Sequence, residues 1–364
     1  MSRFASLSAP RRALLLTAIC VLAFVLLALL AEGAVRVRQF LKHDQPVFRI
    51  ESLYHIDSET GLRVPVAGRK TNRIAINADG FRGPEIARPK PPGTVRIAFL
   101  GGSTTFSAEV SGNEATWPHL VTEGLKKRWP ERQFDYINAG VPGYSLRTSL
   151  KRFELSVKRF EPDIIVIYHA TNDLSANSFK QAVDQGVIRE RADAAMSWPS
   201  RYSLLWYLVE KNLSLMWIQA RATDQSNKLD VDLQAISGPF ERDLTRIVDA
   251  ARNVADLVAL VTFSTHLRQE QDPEYRLKAA ETSLFYMPYM TPQNLLDSFA
   301  AYNEVIRSVA RRSDVLVIDA ETAVPGDTKH FVDSVHFTDE GSAVMAQKVV
   351  DGLIAEGLAI AGSR

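Results

Sequence analysis

The organisation of the chain is set by the stretch VRIAFLGGSTT, residues 95–105. Residues 95–100 are mostly apolar, with β-branched and aromatic side chains, which predicts a buried strand that stops at Gly101 and Gly102. Ser103 is therefore expected at the carboxyl end of a strand, at the edge where open α/β sheets bind ligands. A serine in this position is either a nucleophile or a helix cap, and caps are much commoner. The rest of the sequence has to decide between the two.

Length and composition fit one large α/β domain with appendages. The chain has 364 residues, of which 46% are hydrophobic, so it can bury a full core. Its 43 Lys and Arg residues nearly balance 42 Asp and Glu residues, and the net charge of +1 predicts no nucleic-acid partner. The single cysteine, Cys20, excludes both a disulfide framework and a thiolate metal site.

The N-terminus contains an uncharged apolar run from Ala13 to Ala31, close to the ~20 residues that span a bilayer. We expect residues 1–31 to form a cytoplasmic tip and a single uncleaved transmembrane helix, with a cleaved signal peptide as the alternative. This predicts an extracytoplasmic catalytic domain, periplasmic or extracellular. Basic residues on both sides weaken the charge asymmetry that would set the orientation: Arg3, Arg11 and Arg12 before the run, Arg36, Arg38 and Lys42 after it.

Beyond the anchor, residues 32–93 contain turn and proline-rich sequences, which indicate a stalk and an irregular lead-in. Residues 94–364 alternate between apolar strand patterns and helical patterns. Strands are predicted at 95–100, 134–138, 163–168, 258–263 and 315–319, and helices at 117–129, 145–160, 240–257, 292–313 and 339–358. Nearly continuous apolar strands between helices are typical of a doubly wound parallel sheet, here of about five strands.

The alternation breaks between residues 174 and 237. Two dense apolar and aromatic runs, 204–209 and 213–218, indicate a buried helix that covers the sheet. A lid over an acyl pocket is the alternative interpretation of this insertion.

Polar residues follow the predicted strands at the expected active edge. Ser103 and Asn172 lie just after strands, Gly143 lies in the turn after a third, and Asp333 precedes His336 by three residues in a loop. Acyl transfer by serine needs a hydroxyl, an imidazole that takes its proton and a carboxylate that orients the imidazole. It also needs donors for the oxyanion, which the amides of Ser103 and Gly143 and the side chain of Asn172 can supply.

These segments resemble the four sequence blocks of the SGNH (GDSL-type) hydrolase superfamily, in the same order along the chain. The resemblance implies a three-layer, flavodoxin-like α/β fold with Ser103 as nucleophile, His336 as general base and Asp333 as its orienting carboxylate. It also implies an oxyanion hole made of Ser103, Gly143 and Asn172. Two positions depart from the family pattern: Gly102 replaces the aspartate of Gly-Asp-Ser, and Ala170 replaces a glycine.

The function expected is that of a membrane-anchored serine esterase that cleaves short O-acyl esters. The alternatives are an O-acyltransferase that passes the acyl group to envelope polysaccharide, a lipase or lysophospholipase, and a non-catalytic binding domain on a hydrolase scaffold. Residues 284–290 mix tyrosines with apolar residues, as a small pocket or sugar-facing wall does, which favours short esters. No cofactor or metal is predicted, because the histidines lack ligand spacing and no phosphate loop or dinucleotide fingerprint follows the glycines. The expected partners are an ester substrate, of acylated polysaccharide or lipid, and the membrane.

Overall fold

The computed structural model of the chain describes residues 8–43, 53–188, 197–222 and 228–357. Predictions that concern Arg3, Leu358 or the segments between these ranges lie outside the described residues. The chain divides into two compact units. The smaller unit comprises Met1–Glu51 and Ala192–Ser214, and the larger unit comprises Ser52–Arg191 and Leu215–Arg364.

The smaller unit is built around helix α1, Ala9–His43. Its segment Pro10–Leu41 contains an 18-residue window with a mean hydropathy of 3.1 and is, among the described residues, the one helix long and apolar enough to cross a membrane. Within this unit the carboxylate of Glu32 accepts hydrogen bonds from Ser203 Oγ (2.8 Å) and from the backbone N–H groups of Leu204 (3.0 Å) and Leu205 (2.9 Å). Glu32 thereby caps the first turn of helix α6, Leu204–Ala222.

The prediction of a buried helix over residues 204–218 is wrong for the first half of α6. Trp206 is 49% exposed and Leu213 is 56% exposed, and Trp198 and Tyr202 just before the helix are also exposed. The dense apolar pattern indicated burial in protein because a sequence pattern does not distinguish a protein core from another apolar environment.

The larger unit contains a five-stranded parallel sheet in the order β4-β3-β5-β6-β7. Its strands are β3 (Thr94–Gly101), β4 (Gln133–Asn138), β5 (Ile164–Tyr168), β6 (Leu257–Val261) and β7 (Leu316–Ile318). Counted within the sheet, this is the 2-1-3-4-5 order of flavodoxin-like folds. After β3 the chain adds β4 on one side of this strand, and it then crosses to the other side of β3 to add β5. The carboxyl end of β3 is therefore the topological switch point. The predicted fold class is confirmed.

Helices form the outer layers of the larger unit. Helix α3 packs against α10, and α7 packs against α4, α5 and α9. Their bounds are α2 Ser103–Phe106, α3 Trp117–Arg128, α4 Leu146–Arg152, α5 Thr171–Asp184, α7 Leu233–Arg252, α8 Pro273–Tyr286, α9 Pro292–Ser313 and α10 Asp339–Gly352.

Several helix boundaries differ from the sequence prediction. Helix α7 begins before residue 240, because Asp232 caps its first turn and Pro239 is accommodated inside it. The predicted helix 145–160 is α-helical only to Arg152 and continues to Phe160 in π and 3₁₀ turns. Helices α5 and α8 were not predicted.

Residues 53–93 are part of the larger unit and do not form a stalk. They contain a two-stranded antiparallel hairpin, β1 (Tyr54–Ile56) and β2 (Arg63–Pro65), followed by irregular chain. Phe81 and Arg82 from this segment are each only 1% exposed. Its turn-rich composition suggested a spacer because irregular chain that is buried has the same sequence signature as irregular chain in solvent.

Candidate active site

Ser103 begins the short helix α2 directly after β3, as the sequence predicts. Gly102, just before it, approaches Asn172 closely: a Cβ atom at Gly102 would lie 2.7 Å from Asn172 Nδ2 and 3.3 Å from the carbonyl oxygen of Tyr144. A side chain here would therefore displace the asparagine or the turn. The glycine that departs from the family pattern is explained by this close approach. Ala170 has φ −167°, outside the left-handed region that favours glycine.

The loop before α10 brings His336 and Asp333 to Ser103. His336 Nε2 lies 2.8 Å from Ser103 Oγ, and His336 Nδ1 lies 2.8 Å from Asp333 Oδ2. The other carboxylate oxygen of Asp333 accepts the backbone N–H groups of Val335 and His336, each at 2.9 Å. Both oxygens of Asp333 are therefore fixed, and they hold the imidazole with Nε2 toward the hydroxyl.

The electrostatics of the three residues suit a general base. Burial lowers the pKa of His336, but the hydrogen bond to Asp333 and the negative charges of Glu109 and Asp333 outweigh burial and raise it to about 8. Burial also raises the pKa of Asp333, yet the hydrogen bonds from His336 and from the backbone bring it below its usual value. Asp333 is thus ionised and stabilises a proton on His336.

The loop after β4 and the start of α5 meet beside Ser103. Gly143 has φ +85°, a left-handed conformation that favours glycine, and Asn172 Nδ2 donates a 2.9 Å hydrogen bond to the carbonyl oxygen of Tyr144. This bond uses one of the two N–H groups of the Asn172 amide, so the second is available to a ligand. Both residues line the same cavity as Ser103 and His336.

This cavity has a volume of about 370 Å³. Helix α8 and the turn after it supply Tyr286 and Met287 to its wall, from the segment 284–290 that the sequence analysis singled out. Thr171, Ser175, Thr282 and Ser283 add polar atoms to the lining. The lining of the cavity is therefore mainly apolar, with several hydrogen-bonding groups set into it.

The lead-in segment supports the two loops that carry the site. The Arg63 guanidinium donates to the carbonyl oxygen of Pro142 (2.9 Å), and Tyr144 Oη donates to that of Arg63 (2.7 Å), next to Gly143. The guanidinium of the buried Arg82 donates to the segment after Ser103, where its acceptors are Phe106 O, Ser107 O, Gly112 O and Asn113 Oδ1. The sequence analysis missed these supports, because they depend on contacts between distant parts of the chain.

Glu109 is a further polar residue of the cavity that the sequence analysis missed. It lines the cavity with Ser103 and His336, and its Oε2 atom is buried with no hydrogen-bond partner in the described part of the chain. Burial raises the pKa of its carboxyl group, and the nearby imidazole of His336 opposes this shift. No motif distinguishes this glutamate from the many acidic residues of the chain.

A second group of the same residue types lies in the core. His169 Nε2 is 2.8 Å from Ser149 Oγ, and His169 Nδ1 is 3.7 Å from Asp173 Oδ2. All three residues are buried. Asp173 Oδ1 accepts the backbone N–H of Leu146 at 3.0 Å, which links α5 to the start of α4. His169 is thus a core hydrogen-bonding residue.

The described residues contain no group of three or more His, Cys, Asp or Glu side chains that could hold a metal ion.

Comparison with known proteins yields one family and several solved structures. The profile of the GDSL-like lipase/acylhydrolase family matches residues 99–344. Axe2, an acetylxylan esterase from Geobacillus stearothermophilus, is 17% identical with a TM-score of 0.44 over 72% of this chain and 95% of its own. LAE5, an alpha/beta hydrolase from the metagenome of Lake Arreo, Spain, is 15% identical with a TM-score of 0.44 over 71% of this chain and 94% of its own. No curated protein matches the sequence.

Proposed function

The chain belongs to the GDSL-like lipase/acylhydrolase family and is an ester-hydrolysing serine hydrolase, and on this premise we propose that Ser103, His336 and Asp333 are its catalytic triad. The observation that carries the proposal is the continuous chain of two 2.8 Å contacts from Ser103 Oγ through His336 to Asp333, open to a cavity. A helix cap, the commoner role of such a serine, requires neither an imidazole nor a carboxylate.

In the first half-reaction, Ser103 Oγ attacks the acyl carbon of the ester while His336 Nε2 takes the hydroxyl proton. The carbonyl oxygen becomes an oxyanion, which accepts hydrogen bonds from the Ser103 and Gly143 amides and from Asn172. The bond between the acyl carbon and the alcohol oxygen then breaks, and His336 returns the proton to the leaving alcohol. The product is an acyl-enzyme on Ser103.

In the second half-reaction, His336 deprotonates a water molecule, which attacks the acyl-enzyme and releases the carboxylic acid and Ser103. A sugar hydroxyl that replaced this water would give an acyltransferase with the same residues. The two activities therefore differ only in the nucleophile that reaches the acyl-enzyme.

Short acyl groups are the proposed substrates. A long acyl chain needs a continuous apolar groove, since each buried methylene adds ~0.8 kcal/mol of binding, whereas this cavity is small and has a partly polar lining. The test is kcat/KM for p-nitrophenyl esters from acetate to palmitate, each with and without an added saccharide acceptor. We expect a maximum at the short esters. A steady rise through the long chains would indicate a lipase, and acylated saccharide would indicate the transferase.

Helix α1 is proposed to be a retained membrane anchor that holds the larger unit outside the cytoplasm. The contacts of Glu32 with residues 203–205 support retention, because removal of the helix would leave the first turn of α6 uncapped. The exposed Trp198, Tyr202 and Trp206 of the same unit are of the types enriched where a membrane meets water. Full-length protein should resist carbonate and high-salt extraction, and a reporter fused after residue 364 should be active only outside the cytoplasm. A reporter active only inside would reverse the proposed topology.

A further inference from the structure

The first half of helix α6 carries apolar side chains on an exposed face. Trp206, Val209 and Leu213 follow one another at intervals of three and four residues, so they share one face of the helix, and all three are exposed. Trp198 and Tyr202, whose rings are 5.7 Å apart, lie just before the helix and are exposed as well. Together these five residues form the α6 stripe. Exposed apolar surface of this kind is typical of a site that contacts a partner or a membrane.

Polar groups beside the α6 stripe have partners within the same segment. Trp206 Nε1 donates a 3.1 Å hydrogen bond to Ser197 Oγ, which in turn donates to Glu210 Oε2 at 2.6 Å. Asn212 Nδ2 donates to the carbonyl oxygen of Leu208 at 2.7 Å. Burial of a polar group away from water is costly unless the group keeps a hydrogen bond. The indole N–H and the amide can therefore leave water without losing these bonds.

Contacts with α1 determine where α6 begins relative to the membrane. Glu32 is the first charged residue after the uncharged run Ala13–Ala31, so in a membrane-spanning α1 it lies where the hydrocarbon core ends. Its carboxylate caps the first turn of α6. Arg36, one turn further along α1, donates to Glu32 Oε1 (2.6 Å) and to the carbonyl oxygen of Tyr202 (3.1 Å). The start of α6 is therefore held at the boundary between the membrane and water.

This position favours the bilayer as the surface that covers the α6 stripe. The stripe begins at the residues that contact Glu32 and Arg36, so any partner from the aqueous phase would have to bind at the level of the lipid headgroups. Three of its five side chains are Trp or Tyr, the types enriched at this boundary. A helix with an apolar face and satisfied polar groups is suited to lie in the interface, with that face toward the acyl chains.

We propose that the α6 stripe is a second membrane contact, through which the first turns of α6 lie along the surface of the bilayer that α1 spans. This inference rests on the proposed membrane anchor, since α1 determines the level of α6. Along the chain, residues 192–214 are inserted between two segments of the larger unit. The larger unit is therefore attached to the membrane through this insertion as well as through the chain that follows α1.

The test uses full-length protein in phosphatidylcholine vesicles with an environment-sensitive label on one cysteine at a time. The native Cys20, inside the apolar run of α1, reports whether the anchor is inserted. In a Cys20→Ser background, Val209→Cys and Leu213→Cys place the label on the α6 stripe. Lys211→Cys is the matched control, because this exposed residue lies on the opposite side of the same helix. Each label is quenched with iodide from the water and, separately, with lipids that carry a spin label in the acyl chain.

We expect the labels at Val209 and Leu213 to emit at shorter wavelength than the label at Lys211. They should be quenched more strongly by lipid that is spin-labelled near the headgroup than by iodide, and the label at Lys211 should show the reverse order. Thermal midpoints of the three variants should change little, because each replaced side chain is exposed.

Iodide quenching at Val209 and Leu213 equal to that at Lys211 would place the α6 stripe in water and overturn the inference. Protection from both quenchers would show that protein covers the stripe, either a second copy or another part of the chain, and would also overturn it. Lipid spin-labelled deep in the acyl chain should quench the label at Cys20. Absence of that quenching contradicts the proposed anchor, whereas its presence with the stripe in water contradicts this inference alone.

Discussion

The larger unit contains two sets of serine, histidine and aspartate side chains, Ser103–His336–Asp333 and Ser149–His169–Asp173. In both sets the imidazole lies 2.8 Å from the serine hydroxyl. The carboxylate lies 2.8 Å from Nδ1 of the histidine in the first set and 3.7 Å in the second. The first set opens to the cavity, and the second is buried in the core.

The surroundings of the two sets shift the pKa values of their histidines in opposite directions. Burial lowers the pKa of His336 too, but interactions with Asp333 and Glu109 raise it to about 8. Burial alone lowers the pKa of His169 to about 3, and burial raises the pKa of Asp173 to about 7. His169 cannot hold a proton at neutral pH, so the second set serves to join α4 to the start of α5. On the proposed assignment, the same three residue types give a base in one place and a structural link in the other, and solvent access and the contact with the carboxylate decide which.

The sharpest test of this contrast is removal of each serine. Ser103→Ala should lower kcat by roughly 10⁴- to 10⁶-fold, as in other serine triads, because no acyl-enzyme can form. Ser149→Ala should keep most of the activity and lose about 1–3 kcal/mol of unfolding free energy, because His169 loses a buried partner. The measurements are ester hydrolysis and denaturant unfolding of both variants. Comparable activity losses would contradict the assignment.

The neighbours Asn172 and Asp173 extend the comparison to the start of α5. Asn172→Ala should lower kcat by ~10²–10³-fold with a smaller effect on KM, as for the loss of one oxyanion donor. Asp173→Asn should change kcat far less, because the asparagine oxygen can still accept the N–H of Leu146. Steady-state kinetics of both variants test this difference in kcat. A change in KM without a change in kcat would identify Asn172 as a substrate-binding residue.

The pH dependence of activity tests the character of His336. Since only its neutral form can take the proton of Ser103, kcat/KM should fall about tenfold for each pH unit below a pKa of about 8. Removal of the charge at Glu109 should lower the pKa of His336, so that the fall in kcat/KM begins at a lower pH. A pH profile that stays unchanged in Glu109→Gln would contradict the electrostatic coupling of the two residues.

The smallest expected effect concerns the buried set. The folded-state pKa of Asp173 is above its unfolded value, so the native state binds the extra proton between about pH 4 and pH 7. Its contribution to stability is therefore present in acid and is lost as the pH rises through this window. The thermal midpoint of the unmodified protein relative to Asp173→Asn should fall from pH 4 to pH 7. A difference in thermal midpoint that rises with pH would show that Asp173 is ionised in the folded protein.

The sequence predicted the parts of the fold that follow from short-range patterns. Continuous apolar strands that end in Gly101 or Tyr168 specify a parallel sheet, and the residues after them predict the candidate site at its carboxyl edge. The first half of α6 was wrongly predicted to be buried, because an apolar sequence pattern does not identify the environment that surrounds the helix. Helix α8 was missed because its apolar residues do not form a single face.

The residues that support the site could not be predicted from the sequence. Arg63 and Arg82 contact the loops that carry the candidate site from a segment whose turn-rich sequence indicated a stalk. Glu109 becomes distinctive only through the burial of its oxygen and its closeness to His336. Ser149 and His169 carry the residue types of a catalytic pair, and only their burial separates them from one. Long-range contacts and solvent access determine these roles, and neither has a local sequence pattern.

The most direct test of the central claim, that Ser103 and not Ser149 is the nucleophile, is covalent labelling. Full-length protein is treated with a serine-directed phosphonate at pH 8 and digested, and the modified peptide is identified by mass spectrometry. We predict a single label on Ser103, no label on Ser149, and complete loss of labelling in Ser103→Ala and His336→Gln. Labelling that persists in Ser103→Ala, or that is found on Ser149, would contradict the account.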